Sequence, residues 1–231
     1  ATLTLAFPAD KAELIETAIA LMHLYGTVGG RSRNGWGSFV IESPDAKPWD
    51  GLAQLPIRAW QEALAFDWPH AIGKDDKGPL IWQTGEYEDW RKAMRALAIV
   101  RLGVRTQFVF SSAPPHPAPQ PRHWLSYPIT KHTCQPWGNQ RRLPNSLRLK
   151  VRPAAGAGRF VGVVYHMPCL PPPDFRPRRT DIVRTWQTVH ELLDEMKKEP
   201  RQREYDSIKD LDRLEKLRPW LDQVHLNRIE R

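Results

Sequence analysis

Gly26-Thr27-Val28-Gly29-Gly30-Arg31-Ser32-Arg33-Asn34-Gly35-Trp36-Gly37-Ser38-Phe39 is the stretch on which the reading of this chain turns. Five glycines and two arginines fall within fourteen residues, with no acid among them. Glycine reaches positive φ and lets a partner approach the backbone closely. Successive free N–H groups in such a loop form an anion-binding concavity. Arg31 and Arg33 add forked, permanently charged donors that match phosphate geometry. Trp36 adds a flat face for a base. The stretch is no mononucleotide P-loop, because no Gly-Lys-Ser/Thr closes it. It is no dinucleotide fingerprint either, since it follows a helix and precedes a strand. The plain alternative is a helix C-cap and hairpin turn with surface arginines.

Upstream, Leu3, Leu5 and Phe7 alternate as in a half-buried strand over 2–7. Asp10 is placed as an N-cap with Glu13 as its capping-box partner. Ile15, Ile19, Met22 and Tyr25 recur at helical spacing until Gly26 stops the helix. A strand over about 36–42 follows. Strand, helix and strand make one half of a ferredoxin-like βαββαβ fold.

Downstream, residues 43–104 read as a helical insertion. Pro56 suits the first position of a helix running to about Phe66. Loop follows over 66–70 and 73–79, and Tyr87, Trp90, Met94 and Leu97 mark a second helix ending at Gly103. Residues 105–110 read as a strand, 113–121 as a proline-rich spacer and 122–129 as an aromatic strand. Leu147-Arg148-Leu149-Lys150-Val151-Arg152 alternates apolar with basic, which puts Arg148, Lys150 and Arg152 on one side of a strand. With 159–167 it forms a hairpin turning at 156–158. Two amphipathic helices end the chain, through Ile182, Trp186, Val189, Leu193 and Met196, then through Leu214, Leu217, Leu221 and Val224. The resulting expectation is an α+β fold in two parts. Residues 1–178 form a ferredoxin-like (RRM-like) domain with a glycine-rich loop and the insertion, and 179–231 a C-terminal helical pair packed on it.

The net charge of +8 is unevenly placed. Residues 121–180 hold eleven Lys or Arg and one acid, Asp174, while the remainder holds 23 bases and 25 acids. One-sign clustering is the electrostatic footprint of a polyanion site. The two cysteines, Cys134 and Cys169, suggest no disulfide framework and suit a reducing cytoplasm. No apolar run approaches the roughly 18 residues of a membrane span. The chain opens on Ala1 rather than Met, as a fragment of a longer protein would.

Other constellations carry less. His132, Cys134, His166 and Cys169 are the residue types of a tetrahedral zinc site, at an unusual spacing. Asp67 and His70 stand close in sequence but beside Trp68-Pro69, where a structural histidine is the simpler reading. Asp75, Asp76, Glu86, Glu88 and Asp89 flank a helix start, where acids complement the dipole. No cofactor is expected.

The order strand, helix, Gly-Gly-Arg-x-Arg-x-Gly-x-Gly, strand resembles the glycine-rich loop of the RAMP superfamily of CRISPR RNA-binding proteins. The likeness is to the second half of the first subunit of type III-B (Cmr) effector complexes. Here no glycine separates Gly30 from Arg31, and Trp36 stands where that family has Phe. Trp124 to Ile129 and Arg141 to Leu149 resemble weaker family patterns, so the likeness covers residues 1–42 and 122–168. It implies a non-catalytic subunit that contacts guide or target RNA, with other Cas subunits as partners. The site it implies is Gly29, Gly30, Arg31, Arg33, Asn34, Gly35 and Trp36, with Arg141, Arg142, Arg148, Lys150 and Arg152 on the adjoining sheet. A metal-independent endoribonuclease using His23, His123, His132 or His166 is one rival. A basic scaffold for an acidic protein is the other.

Overall fold

The computed structural model describes residues 2, 4–42, 55–154 and 158–229. The alternation at 147–152 produces what it predicts. Strand β5 (Leu147–Pro153) pairs antiparallel with β6 (Phe160–His166), with Arg148 opposite Tyr165, Lys150 opposite Val163 and Arg152 opposite Val161. Leu147, Leu149 and Val151 face one core cluster, and Val161, Val163 and Tyr165 face another on the opposite side. Most of the expected turn lies outside the described residues.

Two short strands complete this sheet. Strand β4 (Ile81–Thr84) pairs antiparallel with β6, and β7 (Leu226–Arg228) pairs antiparallel with β4. The spatial order is β5-β6-β4-β7. Helix α3 (Trp90–Thr106) connects β4 to β5 and packs on β6 and β5. Gly162 lies beneath it, where a Cβ would come within 2.8 Å of Leu97 Cγ. Helices α5 (Arg179–Glu195) and α6 (Leu211–Leu221) connect β6 to β7. The main core lies between these helices and the sheet, with Trp82, Leu97, Val164, Ile182, Leu193 and Leu226 all buried.

The opposite face carries helix α1 (Ala12–Tyr25) and a smaller sheet. There β1 (Ile57–Ala59) pairs parallel with β2 (Ile72–Asp75), which pairs antiparallel with β3 (Gly78–Pro79). The Tyr165 hydroxyl donates to the Tyr25 carbonyl at 2.6 Å and pins the last turn of α1 to the sheet. Among the described residues, no helix is long and apolar enough to cross a membrane.

Several expectations are corrected. Described residues of 2–7 form no strand, and Leu5 and Phe7 are exposed. Asp10 falls inside a 3-10 turn (Ala9–Lys11) and caps nothing. Of the strand at 36–42 only a bridge from Ser38 to Thr27 forms. The described part of 43–104 before α3 holds four short strands, one short helix and connecting coil in place of the expected helix, with the loop expected at 73–79 formed by the β2–β3 hairpin. Pro56 precedes β1, its carbonyl accepting from Ile72 N at 2.8 Å, and only Trp60–Ala63 is helical nearby (α2). Residues 105–110 contain the end of α3 and then coil. The segment 122–129 begins as helix α4 (Pro121–Leu125), started by Pro at its first position and by a reciprocal cap between Gln120 and His123. Both C-terminal helices form, but the second, expected over 205–228, spans only Leu211–Leu221, leaving Val224 outside it and Leu226–Arg228 as a strand.

Candidate nucleic-acid interface

Helix α1 stops where Gly26 N donates to Met22 O at 2.8 Å. The chain then folds back, with Val28 N donating to Gly37 O at 3.0 Å. Gly37 has φ +77°, and a Cβ there would lie 1.8 Å from the Val28 carbonyl oxygen. Gly35 has φ +85° and lies against Met94 of α3, 3.0 Å from its sulfur by the same test. These two glycines therefore shape the loop and dock it on α3.

Within the loop, the amides of Ser32, Asn34, Gly35 and Ser38 donate to carbonyls three residues back. Those N–H groups are satisfied internally, so the anion concavity expected of the whole stretch is confined. The successive amides of Gly29, Gly30 and Arg31 have no internal partner among the described residues. A Cβ at Gly29 or Gly30 would meet nothing within 4 Å.

The loop lies along the free edge of β5. Leu149 N donates to Arg33 O at 3.2 Å, and Val151 N donates to Ser38 Oγ at 2.9 Å. Asn34 bridges Leu149 in parallel fashion. Arg31 and Arg33 are exposed. Burial, and then the charge of Arg33, push the Arg148 guanidinium below its ordinary value. Arg148 Nε is buried without a partner. The loop and the start of the basic strand thus form one continuous surface.

Lys150 does not join it. This side chain is fully buried, and its ammonium donates to the carbonyls of Met22, His23 and Gly26 at the end of α1. Its pKa is pushed down to about 8 by burial and by Arg152, so it stays largely charged at neutral pH. The assignment of Lys150 as a phosphate ligand is corrected: it caps a helix C-terminus, where the carbonyls favour a cation. Arg152 is half-buried and donates to Gln83 Oε1 at 2.8 Å. Arg141 donates to the Asp174 carbonyl and lies over Phe175, while Arg142 donates to the carbonyls of Asn139 and Arg141 at 2.6 and 2.9 Å. Both stand before β5 near the Tyr127–Leu143 bridge.

Sequence reasoning misses a second basic element. Helix α3 carries Arg91, Lys92, Arg95, Arg101 and Arg105 and no acid. Arg91, Arg95, Arg101 and Arg105 are exposed and line a cleft of about 480 Å³ with Asn34 and Trp36. Among the described residues no carboxylate pairs with Arg95, Arg101 or Arg105. Burial, and then Arg105, depress the pKa of Arg101. Burial, and then Arg105 and Arg213, act on Arg122 in the same way. A signal does exist in the sequence: five bases without an acid on one helix, diluted when charge is summed over sixty-residue blocks.

Trp36 and Trp90 stand between this cleft and a second of about 330 Å³. Their rings meet edge to face at 6.4 Å, and both are exposed. The second cleft is mainly apolar, with Phe39, Met94, Val151 and Phe160 among its walls.

The histidines lie elsewhere. His166 is buried, stacked on Trp186 at 4.1 Å and hydrogen-bonded to Ser146 and His190. His123 and His132 pack with His116 around Phe110, and burial pushes His123 down to about 4. His23 Nδ1 accepts from Ile41 N at 3.2 Å. His132 and His166 engage different neighbours, and among the described residues no group of three or more His, Cys, Asp or Glu is placed to hold a metal ion. His70 Nδ1 contacts the Trp68 carbonyl at 3.1 Å. Of the carboxylates, Asp89 caps α3 through Arg91 N, and Asp75 pairs with Arg228.

No family model, curated protein or solved structure matches this chain.

Proposed function

We propose that this protein binds RNA through the loop 26–38 and the arginines beside it. On the resemblance of that loop, we further propose a non-catalytic RAMP-type subunit of a cytoplasmic type III CRISPR ribonucleoprotein, with guide or target RNA and other Cas subunits as partners. The observation that carries the reading is the seating of the loop on the edge of β5, which sets exposed Arg33 next to Arg148, with exposed Arg31 two residues earlier in the same loop. The threading β4-α3-β5-β6-α5-β7, with α6 before the last strand and spatial order β5-β6-β4-β7, supports a ferredoxin-like sheet. That unit is assembled from later elements than those the resemblance implied, with the loop outside it and against its edge strand.

The test is a filter-binding titration of unstructured RNA with the Arg31→Ala/Arg33→Ala variant. Removing one phosphate interaction lowers the salt slope of log K by about 0.7 for a single strand. The double variant is expected to bind more weakly at low salt, with the slope reduced by about 1.4. Unchanged affinity removes the loop from the site.

A further inference from the structure

We infer that the ligand is single-stranded, that its phosphates follow the arginine row of α3, and that a base turns past Trp36 into the apolar cleft behind it. This rests on the RNA-binding reading and extends it to a helix that reading does not use.

Three observations converge. Arg91, Arg95, Arg101 and Arg105 open on one cleft with Asn34 of the loop. From Arg91 to Arg105 the row spans about 21 Å at 1.5 Å per residue. Arg95, Arg101 and Arg105 have no carboxylate partner among the described residues, and like charges gathered on one helix face favour a polyanion. Next, Trp36 and Trp90 are exposed by 51% and 40% at the head of the row, with the Arg91 guanidinium 5.3 Å from the Trp90 ring. Exposed indoles flanked by guanidinium groups make a stacking platform beside a phosphate track. Finally, the cleft beyond Trp36, of about 330 Å³, is walled by Phe39, Met94, Val151 and Phe160, with Arg152 as its cationic member. That is the size and lining of a small-ligand pocket with one polar handle.

This arrangement selects against a duplex. Paired bases are stacked inside a helix and show no face to an indole, whereas unstacked bases in single strands do. An acidic protein would satisfy the arginines, but a nucleotide strand carries a planar base beside every phosphate, which is the pairing that the Trp36 platform and the adjoining arginine row match.

The experiment is fluorescence anisotropy with a labelled 15-nucleotide unstructured RNA and the same sequence as a duplex. The whole chain is compared with Trp36→Ala, Trp36→Phe, Arg101→Ala/Arg105→Ala and an equal charge reduction elsewhere, Arg184→Ala/Arg201→Ala. Trp36→Ala is expected to weaken single-strand binding about 5- to 150-fold, with Trp36→Phe recovering much of it. Arg101→Ala/Arg105→Ala is expected to cut the salt slope by about 1.4, and the control pair to leave it in place. The inference is overturned if the duplex binds as well as the single strand, if Trp36→Ala binds like the parent, or if both arginine pairs weaken binding equally. Failure of the unaltered chain to bind RNA at low salt sinks the RNA-binding reading itself. Parent binding that disappears in Arg31→Ala/Arg33→Ala but stays intact in the Trp36 and α3 variants sinks only this extension.

Discussion

Strand β5 and helix α3 each carry a row of basic side chains, and the rows differ in what stands opposite them. On β5, Lys150 meets three carbonyls at the end of α1, and Arg152 meets Gln83. On α3, Arg95, Arg101 and Arg105 are exposed, Arg95 over the Trp220 ring at 5.7 Å and Arg101 near Arg105, with no carboxylate partner among the described residues. Sequence places charge on a face; the neighbour on that face decides whether the charge holds the fold together or waits for a ligand. Alternation along β5 points to its basic residues as a binding surface, although that side of the sheet is largely covered by α1 and the small sheet.

Arg228 is the extreme of the satisfied kind. It is buried between Asp75 at 2.5 Å and Asp194 at 3.3 Å, over the Trp82 ring. Arg228→Ala removes the buried cation between the two carboxylates. It leaves Asp194 with Lys77 at 2.8 Å and Trp82 Nε1 at 2.9 Å, and Asp75 with Lys77 N at 2.9 Å, and is expected to cost about 3 kcal/mol in urea unfolding. Lys150→Met keeps the stem and removes the donor to three carbonyls, for an expected loss of about 3 kcal/mol. If Lys150→Met instead leaves stability intact and weakens RNA binding, the contrast between the rows collapses.

The buried histidines test the same contrast by pH. Burial, and then the paired histidine, hold His166 well below its ordinary value, and burial holds His190 down to about 3. Unfolded, both titrate near 6.5, so below that pH the unfolded state takes up protons that the folded state resists. Their contribution is complete above pH 6.5 and declines as pH falls toward 3. Urea midpoints at pH 7, 5.5 and 4.5 should decrease, and His190→Gln should flatten the trend. The smallest effect belongs to the free row. Arg101→Ala/Arg105→Ala is expected to change unfolding stability by less than about 0.5 kcal/mol while changing RNA binding.

Part of this architecture is legible in the sequence and part is not, for physical reasons. The β5–β6 hairpin, α1 with its stop at Gly26, and α5 and α6 follow local periodicity, and all form. Helix α3 is anticipated but runs past Gly103. That glycine is a packing site, since a Cβ there would lie 2.8 Å from Leu221 of α6. Strands β4 and β7 are four and three residues long and draw their order from distant partners, so no local pattern marks them. In the candidate site, Arg31, Arg33 and Trp36 stand out because the loop is compositionally odd. The α3 arginines do not, because an amphipathic helix hides its exposed face among ordinary core spacing. Lys150 misleads because alternation gives the side of a strand and not its cover.

The seating of the loop on β5 has a consequence for assembly. Along that edge Leu147 N is bonded to Asn145 Oδ1, Leu149 N to Arg33 O and Val151 N to Ser38 Oγ, while residue 153 is proline. No outward amide is left for an incoming strand, so growth of the sheet by strand addition on this side is blocked. Any molecule that meets this border of the sheet must do so through side chains and not by adding a strand.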